Sequence, residues 1–279
     1  MVHAIARRLT GVAVANGSQR LAEREHRRLA RALVDATRTG RPIPPLSDRH
    51  PELSVGDAAR IRDIVLAHRL AGGERLIGAK VMPPGTWPDR QLAPAQPALG
   101  WLTDGMLLPA GVVNVGELIR PRVEPRLALA LERPLRGPIR TASDLLSATV
   151  RAHIALEVVD SRYDRDTLGA PDHIADNGGG ARLLIGPGVT PPAEGTLRRL
   201  RIDLDVEAGW VGLRESGAGS SLSALEACVW LANQLSLVRH DQAAGALLVA
   251  PAGGDTVEMR PGVRVRAFER ELGRLELWG

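Results

Sequence analysis

The sequence predicts an α+β chain in which a helical arm precedes a β-rich body. Up to residue 73, apolar residues recur at helical spacing amid Arg and Glu. Beyond residue 76, the apolar runs become short and alternate with period two. The regularly spaced crossover helices of a βαβ array are missing between those runs. A chain of 279 residues suffices for one large core with a small helical appendage. The expected division is a leader and helical arm over 1–75 and a body over 76–279.

Residues 1–19 read as a loose leader. Residues 20–39 form a helical pattern through Leu21, Leu29, Leu33 and Val34, ended by Gly40 and Pro42. A proline-rich connector follows over 42–51. Ser54 and Asp57 make a capping-box signature for the next helix, whose apolar side is Ile61, Ile64, Val65 and Leu66. Gly72 and Gly73 stop it. A strand is expected over 76–81.

The clearest alternation spans 123–131. Val123, Pro125, Leu127, Leu129 and Leu131 share one face, and Arg122, Glu124, Arg126, Ala128 and Ala130 the other. Pro125 has no N–H to donate, so this strand is expected at a sheet edge or beside a bulge. Thr141 and Asp144 repeat the capping-box pattern, and 154–159 is a short apolar strand enclosing Glu157. Residues 199–207 alternate, with Leu200, Ile202, Leu204 and Val206 facing inward. A helix over 222–238 carries the stripe Leu222, Leu225, Val229, Ala232 and Leu235, suited to packing on a sheet. Residues 263–268 and 272–277 suggest closing strands.

A composition of 44% hydrophobic and 24% charged residues excludes a disordered chain. Lys and Arg exceed Asp and Glu by 36 − 32 = 4, which suits an anionic partner. The cations are scattered among acids, with no zinc finger, RNA-binding aromatic pattern or long basic helix. The expected partner is therefore a small anionic molecule, not nucleic acid. The apolar stretch at 9–15 is too short to cross a bilayer, so no membrane is expected and the default location is cytoplasmic. Cys228 is alone, which excludes an intramolecular disulfide; its apolar surroundings suit a buried small hydrophobe.

Period two places Arg122, Glu124 and Arg126 on one strand face, and Glu157 can join them from another strand. The acid-rich segment 160–166 follows, then Asp172, His173, Asp176 and Asn177 before a triple glycine. Paired carboxylates suit Mg2+ or Mn2+, which polarise a 2-oxo group and stabilise an enolate. A guanidinium cannot ligate a metal and repels one beside Glu124. Arg126 can instead supply the fixed positive charge itself. The expectation is therefore no cofactor, with Mg2+ or Mn2+ as the alternative. Lys80 sits in an apolar run, where it either shuttles protons at a lowered pKa or snorkels from a strand edge. His173 either orients a substrate or is structural, and His153 serves packing. Gly217-Ala218-Gly219-Ser220-Ser221 lacks the spacing of a dinucleotide loop and reads as a pocket wall near a helix N-terminus.

Several ordered motifs carry a family resemblance. They are Arg41-Pro42-Ile43-Pro44-Pro45-Leu46, Leu76-Ile77-Gly78-Ala79-Lys80-Val81, Ile119-Arg120-Pro121-Arg122-Val123-Glu124, and Ala155-Leu156-Glu157-Val158-Val159-Asp160-Ser161-Arg162. Ile174-Ala175-Asp176-Asn177 and Trp230-Leu231-Ala232-Asn233 complete the set. From about residue 22 to the C-terminus the chain resembles the 2-oxopent-4-enoate hydratase and 4-oxalocrotonate decarboxylase family of the fumarylacetoacetate hydrolase superfamily. The resemblance implies a fumarylacetoacetase C-terminal-like mixed β-roll or flattened barrel with an N-terminal helical region, assembled as a homo-oligomer. It implies a divalent metal at Glu124 and Glu157, Lys80 near the substrate and Asp176 at a pocket position.

The departures fall at that same site. The family's Glu-x-Glu reads Glu124-Pro125-Arg126, and Ala79 replaces an arginine. Met82-Pro83-Pro84-Gly85, Ser223-Ala224-Leu225 and Val249-Ala250-Pro251 replace other wall motifs. The expected catalytic set is Lys80, Glu124, Arg126, Glu157 and Asp176, with Arg122, Arg162 and His173 binding substrate. The expected function is a lyase- or isomerase-type reaction on a small enolisable 2-oxo acid-like anion, without metal. The alternatives are a metal-dependent hydratase or decarboxylase, a metal-free biosynthetic cyclase, and a noncatalytic homologue that binds a ligand or stabilises a partner enzyme.

Overall fold

The computed structural model describes residues 20–83, 97–135, 141–207, 214–215, 222–237 and 245–279. The leader at 1–19, the Pro84-Gly85 part of one wall motif and the Gly-rich 217–221 stretch lie outside them. The arm consists of α1 (Glu23–Thr39), α2 (Leu46–Arg49) and α3 (Val55–Ala71). Gly40 closes α1 at φ 63, a left-handed value that favours glycine. The Ser54–Asp57 capping box forms at the start of α3 as the local sequence demands. Asp57 also accepts bonds from the Arg20 and Leu21 amides and meets His26 Nε2 at 2.8 Å, which ties the start of α1 to α3.

The body begins with β1 (Leu76–Met82), β2 (Ala98–Thr103), β3 (Arg122–Leu131) and α4 (Ala142–Ser147). Next come β4 (Thr149–Val159), α5 (Ala170–Ala175), β5 (Gly180–Ile185) and α6 (Glu194–Arg198). Then follow β6 (Asp203–Glu207), β7 (Arg214–Glu215), α7 (Ala224–Leu237) and β8 (Leu247–Pro251). The chain ends with β9 (Thr256–Glu258), β10 (Arg264–Glu269) and β11 (Gly273–Trp278). The main sheet has the order β2-β1-β8-β3-β4-β5, with β9 beside β3 and β7 beside β9. A second sheet has the order β11-β10-β6. β1 and β8 are parallel, and the other neighbours are antiparallel.

Two expectations need correction. β3 lies inside the sheet, not at its edge. Pro125 is tolerated there because β3 changes partner beside it, pairing with β9 through Val123 and with β8 from Arg126 onward. The Pro125 carbonyl points into that junction and accepts from the Ala252 amide, so the missing N–H interrupts no ladder. The strand expected over 199–207 is shorter. Residues 194–198 take a helical turn, closed by the Arg199 amide on the Thr196 carbonyl, and β6 begins only at Asp203.

Alternation along β3 separates two faces. Val123, Leu127, Leu129 and Leu131 join the large core with Leu225, Cys228, Leu231 and Leu235 of α7. Ala128 faces the other way, with Ala155, Leu183, Val249, Leu102 and Met106. That second face is concave. Lys80 on β1 bonds Glu157 on β4, three strand positions away in the sheet order. In a flat sheet those strands would lie about 14 Å apart, so the contact requires the sheet to curl around it. The arm does not stand apart from the body. Leu29, Leu33 and Ile61 share a buried cluster with Met82, Tyr163 and Ile174. Among the described residues, no helix is long and apolar enough to cross a membrane.

Candidate active site

Four charged side chains meet on the concave face. Glu124 and Arg126 are two residues apart on β3, and Glu157 on β4 is the direct cross-strand partner of Glu124. Lys80 lies opposite Val249 on β8, which in turn runs beside β3. It is the only lysine in a chain whose other strong cations are all arginine. Its amine bonds Glu157 Oε1. Arg126 Nη2 stands 2.5 Å from Glu124 Oε2 and 2.8 Å from Glu157 Oε2. One guanidinium nitrogen therefore bridges the two carboxylates.

Lys80, Arg126 and Glu157 are buried, whereas the Glu124 side chain is 28% exposed. The cluster therefore opens at Glu124. It also retains bonding capacity. Arg126 Nε and Glu157 Oε2 have no hydrogen-bond partner among the described residues, although Oε2 lies at ion-pair distance from Nη2. Buried polar atoms left in this state are rare and costly.

The charges shift one another. Burial pushes the Lys80 amine below its ordinary range; Arg126 adds to this and Glu157 opposes it. Burial alone would raise Glu157, but Lys80 and Arg126 together hold it below the usual carboxylate range. Burial likewise opposes the charge on Arg126, and Glu157 and Glu124 more than restore it. His173 is pushed down to about 4 by burial and by the charges of Lys80 and Arg126. It is neutral at pH 7 and stands close enough to sense the cluster.

Glycines make room for the lysine. A Cβ on Gly180 would lie 2.5 Å from Lys80 Nζ, and one on Gly100 would lie 2.9 Å from Lys80 Cγ. Asn177 fixes the opposite wall by accepting from the Trp101 amide at 2.8 Å and donating to its carbonyl at 2.9 Å. The triple glycine at 178–180 is the sequence signal for this slot. Gly100 and Trp101, on the short β2, carry no comparable signal.

The remaining candidates lie elsewhere. Arg162 and Asp176 pair with each other, Nε to Oδ1 at 2.5 Å, and Arg162 also bonds the Asp160, Gly179 and Asp176 carbonyls. Arg122 meets Asp166 at 3.0 Å near the surface. The structure thus brings together Lys80, Glu124, Arg126 and Glu157, with His173 nearby. It leaves Arg162, Asp176 and Arg122 in separate pairs.

The donor set does not fit a divalent metal. Both carboxylates already face cations, and Arg126 Nη2 occupies the point between them. A guanidinium offers no lone pair to a metal. Among the described residues, no group of three His, Cys, Asp or Glu could hold one.

No family model matches the chain. A 2-hydroxyhexa-2,4-dienoate hydratase of Comamonas testosteroni is 35% identical over 240 residues, spanning 81% of this chain and 90% of that enzyme. A 4-oxalocrotonate decarboxylase of Pseudomonas sp is 30% identical over 249 residues, spanning 89% of this chain and 95% of that enzyme. Among solved structures, 4-oxalocrotonate decarboxylase from Pseudomonas putida G7, complexed with magnesium and adipate, matches with a TM-score of 0.80 at 25% identity. That match covers 94% of this chain and 99% of the other.

Proposed function

Because this chain belongs to the family of 2-keto-4-pentenoate hydratases and 4-oxalocrotonate decarboxylases, with their fumarylacetoacetate hydrolase fold, we propose that it is a lyase-type enzyme acting on a 2-oxo acid, with Arg126 supplying the positive charge at the reaction centre. One observation carries the finer part of this reading: a single Arg126 nitrogen lies between the two carboxylates at 2.5 and 2.8 Å.

The charges define the roles. Lys80 and Arg126 balance Glu124 and Glu157, so the cluster is neutral when all four are ionised. An anionic 2-oxo acid enters at the partly exposed Glu124 and takes N–H bonds from Arg126, whose Nε has none among the described residues. Glu124 accepts the proton from the carbon next to the 2-oxo group. The C–H electron pair becomes the enolate C=C bond, and the carbonyl π pair moves onto oxygen. That oxygen faces Arg126, fixed in advance where negative charge develops. Neutralising Glu124 leaves the protein cluster one unit positive, which stabilises the enolate further. Glu157 is held by Lys80 and Arg126 and orients them. Lys80, with its lowered pKa, is suited to returning a proton.

The test is deuterium exchange at C3 of 2-oxopentanoate, followed by NMR with protein dialysed against EDTA. Exchange is expected to persist under chelation and to fall by roughly 100-fold in Arg126→Met. Exchange that requires added Mg2+ or Mn2+ would select the metal-dependent hydratase or decarboxylase reading, which the magnesium held by the Pseudomonas putida relative favours. No exchange under either condition would leave a ligand-binding homologue.

A further inference from the structure

One cavity among the described residues lies away from the charged cluster. It has a volume of about 400 Å³ and lies in the seam between α1, α3 and the concave side of the sheet. None of Lys80, Glu124, Arg126 and Glu157 lines it. Its size is within the range of small-molecule sites.

The lining has two characters. Leu33, Val65, Leu66, Met106 and Ala175 are apolar, and Trp101 adds a flat wall. The Trp101 indole is fixed by its Nε1 bond to Asp63 Oδ1 at 2.9 Å and by the Arg62 guanidinium 5.7 Å from the ring centre. The polar part holds five arginines and His68 against two carboxylates, Glu74 and Asp176. The arginines differ in how firmly they are held. Arg162 is engaged through Nε and both terminal nitrogens with Asp176 and three backbone carbonyls. Arg62 is engaged with Asp63 and the Leu99 carbonyl. Arg69 and Arg182 are loosely held. Among the described residues, Arg69 meets Glu74 at only 3.3 and 3.5 Å, and Arg182 meets its neighbour's carbonyl at 3.0 Å and Glu117 at 4.0 Å.

We infer that this cavity is a second ligand site, distinct from the reaction centre, for a small monocarboxylate with a flat apolar body. The body lies against Trp101, Leu66 and Met106, and the carboxylate takes the free N–H groups of Arg69 and Arg182. Guanidinium forks match a carboxylate in geometry. Glu74 and Asp176 disfavour a second negative charge. The cavity also reaches Gly180, whose missing Cβ would lie 2.5 Å from Lys80 Nζ. Only one backbone layer then separates the ligand from the lysine, so occupancy is felt at the reaction centre. The inference does not depend on the proposed reaction.

The probe is 4-bromobenzoate, titrated calorimetrically into the full chain. Saturable binding is expected, weakened at least tenfold in Arg69→Gln with Arg182→Gln and unchanged in Arg126→Met. A crystal of the unmutated protein soaked with the same probe avoids any folding defect of the variants. Anomalous bromine density between Trp101 and Met106 supports the site. Density beside Glu124 instead, no bound bromine, or affinity lost only in Arg126→Met would overturn it.

Discussion

Two buried arginines, Arg126 and Arg162, occupy similar places in sequence terms and opposite places in bonding terms. Arg126 lies within β3 and Arg162 just beyond β4, and each meets a carboxylate at short distance. Arg162 donates through Nε and both terminal nitrogens to Asp176 and to three carbonyls. Arg126 reaches its carboxylates through one nitrogen and leaves Nε without an acceptor among the described residues. A buried cation bonded through all three of its nitrogens joins segments, here the turn after β4 to the end of α5. The other, beside a partly exposed carboxylate, keeps an N–H without an acceptor among the described residues.

The comparison breaks most visibly at Arg162. Arg162→Met leaves Asp176 buried without its partner, and burial already raises that carboxyl despite Arg162. Stability in urea unfolding is expected to fall by about 3–5 kcal/mol. An unfolding midpoint unchanged from the parent would show that the pair does not hold the turn. Arg126→Met is expected to reverse the pattern. Exchange activity falls by about 3 kcal/mol in barrier terms, while stability drops by only about 1–3 kcal/mol, because Glu157 keeps Lys80 and Glu124 turns to water. Equal losses of stability at the two positions would erase the distinction.

Gly180→Ala tests the slot. The added methyl lands on the Lys80 amine, and the strain is expected to cost about 1–3 kcal/mol. The informative readout is activity in folded protein, which falls if Lys80 serves the reaction and stays level if it only fills space. The smallest effect concerns His173. The unfolded imidazole takes up a proton near its ordinary 6.5, the folded one only near 4. Stability is therefore unaffected by this group above about pH 6.5 and declines as pH falls toward 4. Subtracting the His173→Gln curve from the parent's is expected to isolate that decline. Parallel curves would show that burial and the cluster's charges do not depress the ring.

What the sequence revealed followed from locality. Ser54 with Asp57 and Thr141 with Asp144 announce helix starts because the bonds span three residues. Ser223 and Glu226 make the same reciprocal bonds at α7, and the same pattern was there to be read. β2 and β5 were not anticipated, because they are short, largely buried runs without sustained alternation. Pro125 misled because the partner change beside it is a property of β8 and β9, far along the chain. At the site, Glu124, Arg126 and Glu157 were visible as charges inside apolar strands. The contact of Lys80 with Glu157 spans 77 residues and depends on sheet curl. Its one sequence signal, that no other lysine exists in the chain, was available. The seam cavity has no local signature at all, since it forms only when the arm meets the sheet.

The central claim, that Arg126 stands where a metal would otherwise be held, is tested most directly by Mn2+ binding to the purified full chain, followed by EPR. The unmutated protein is expected to take up no stoichiometric Mn2+, and Arg126→Glu, which restores the second carboxylate on β3, is expected to take up one ion per chain. One tightly bound Mn2+ per unmutated chain, released by Glu124→Gln, would contradict the claim.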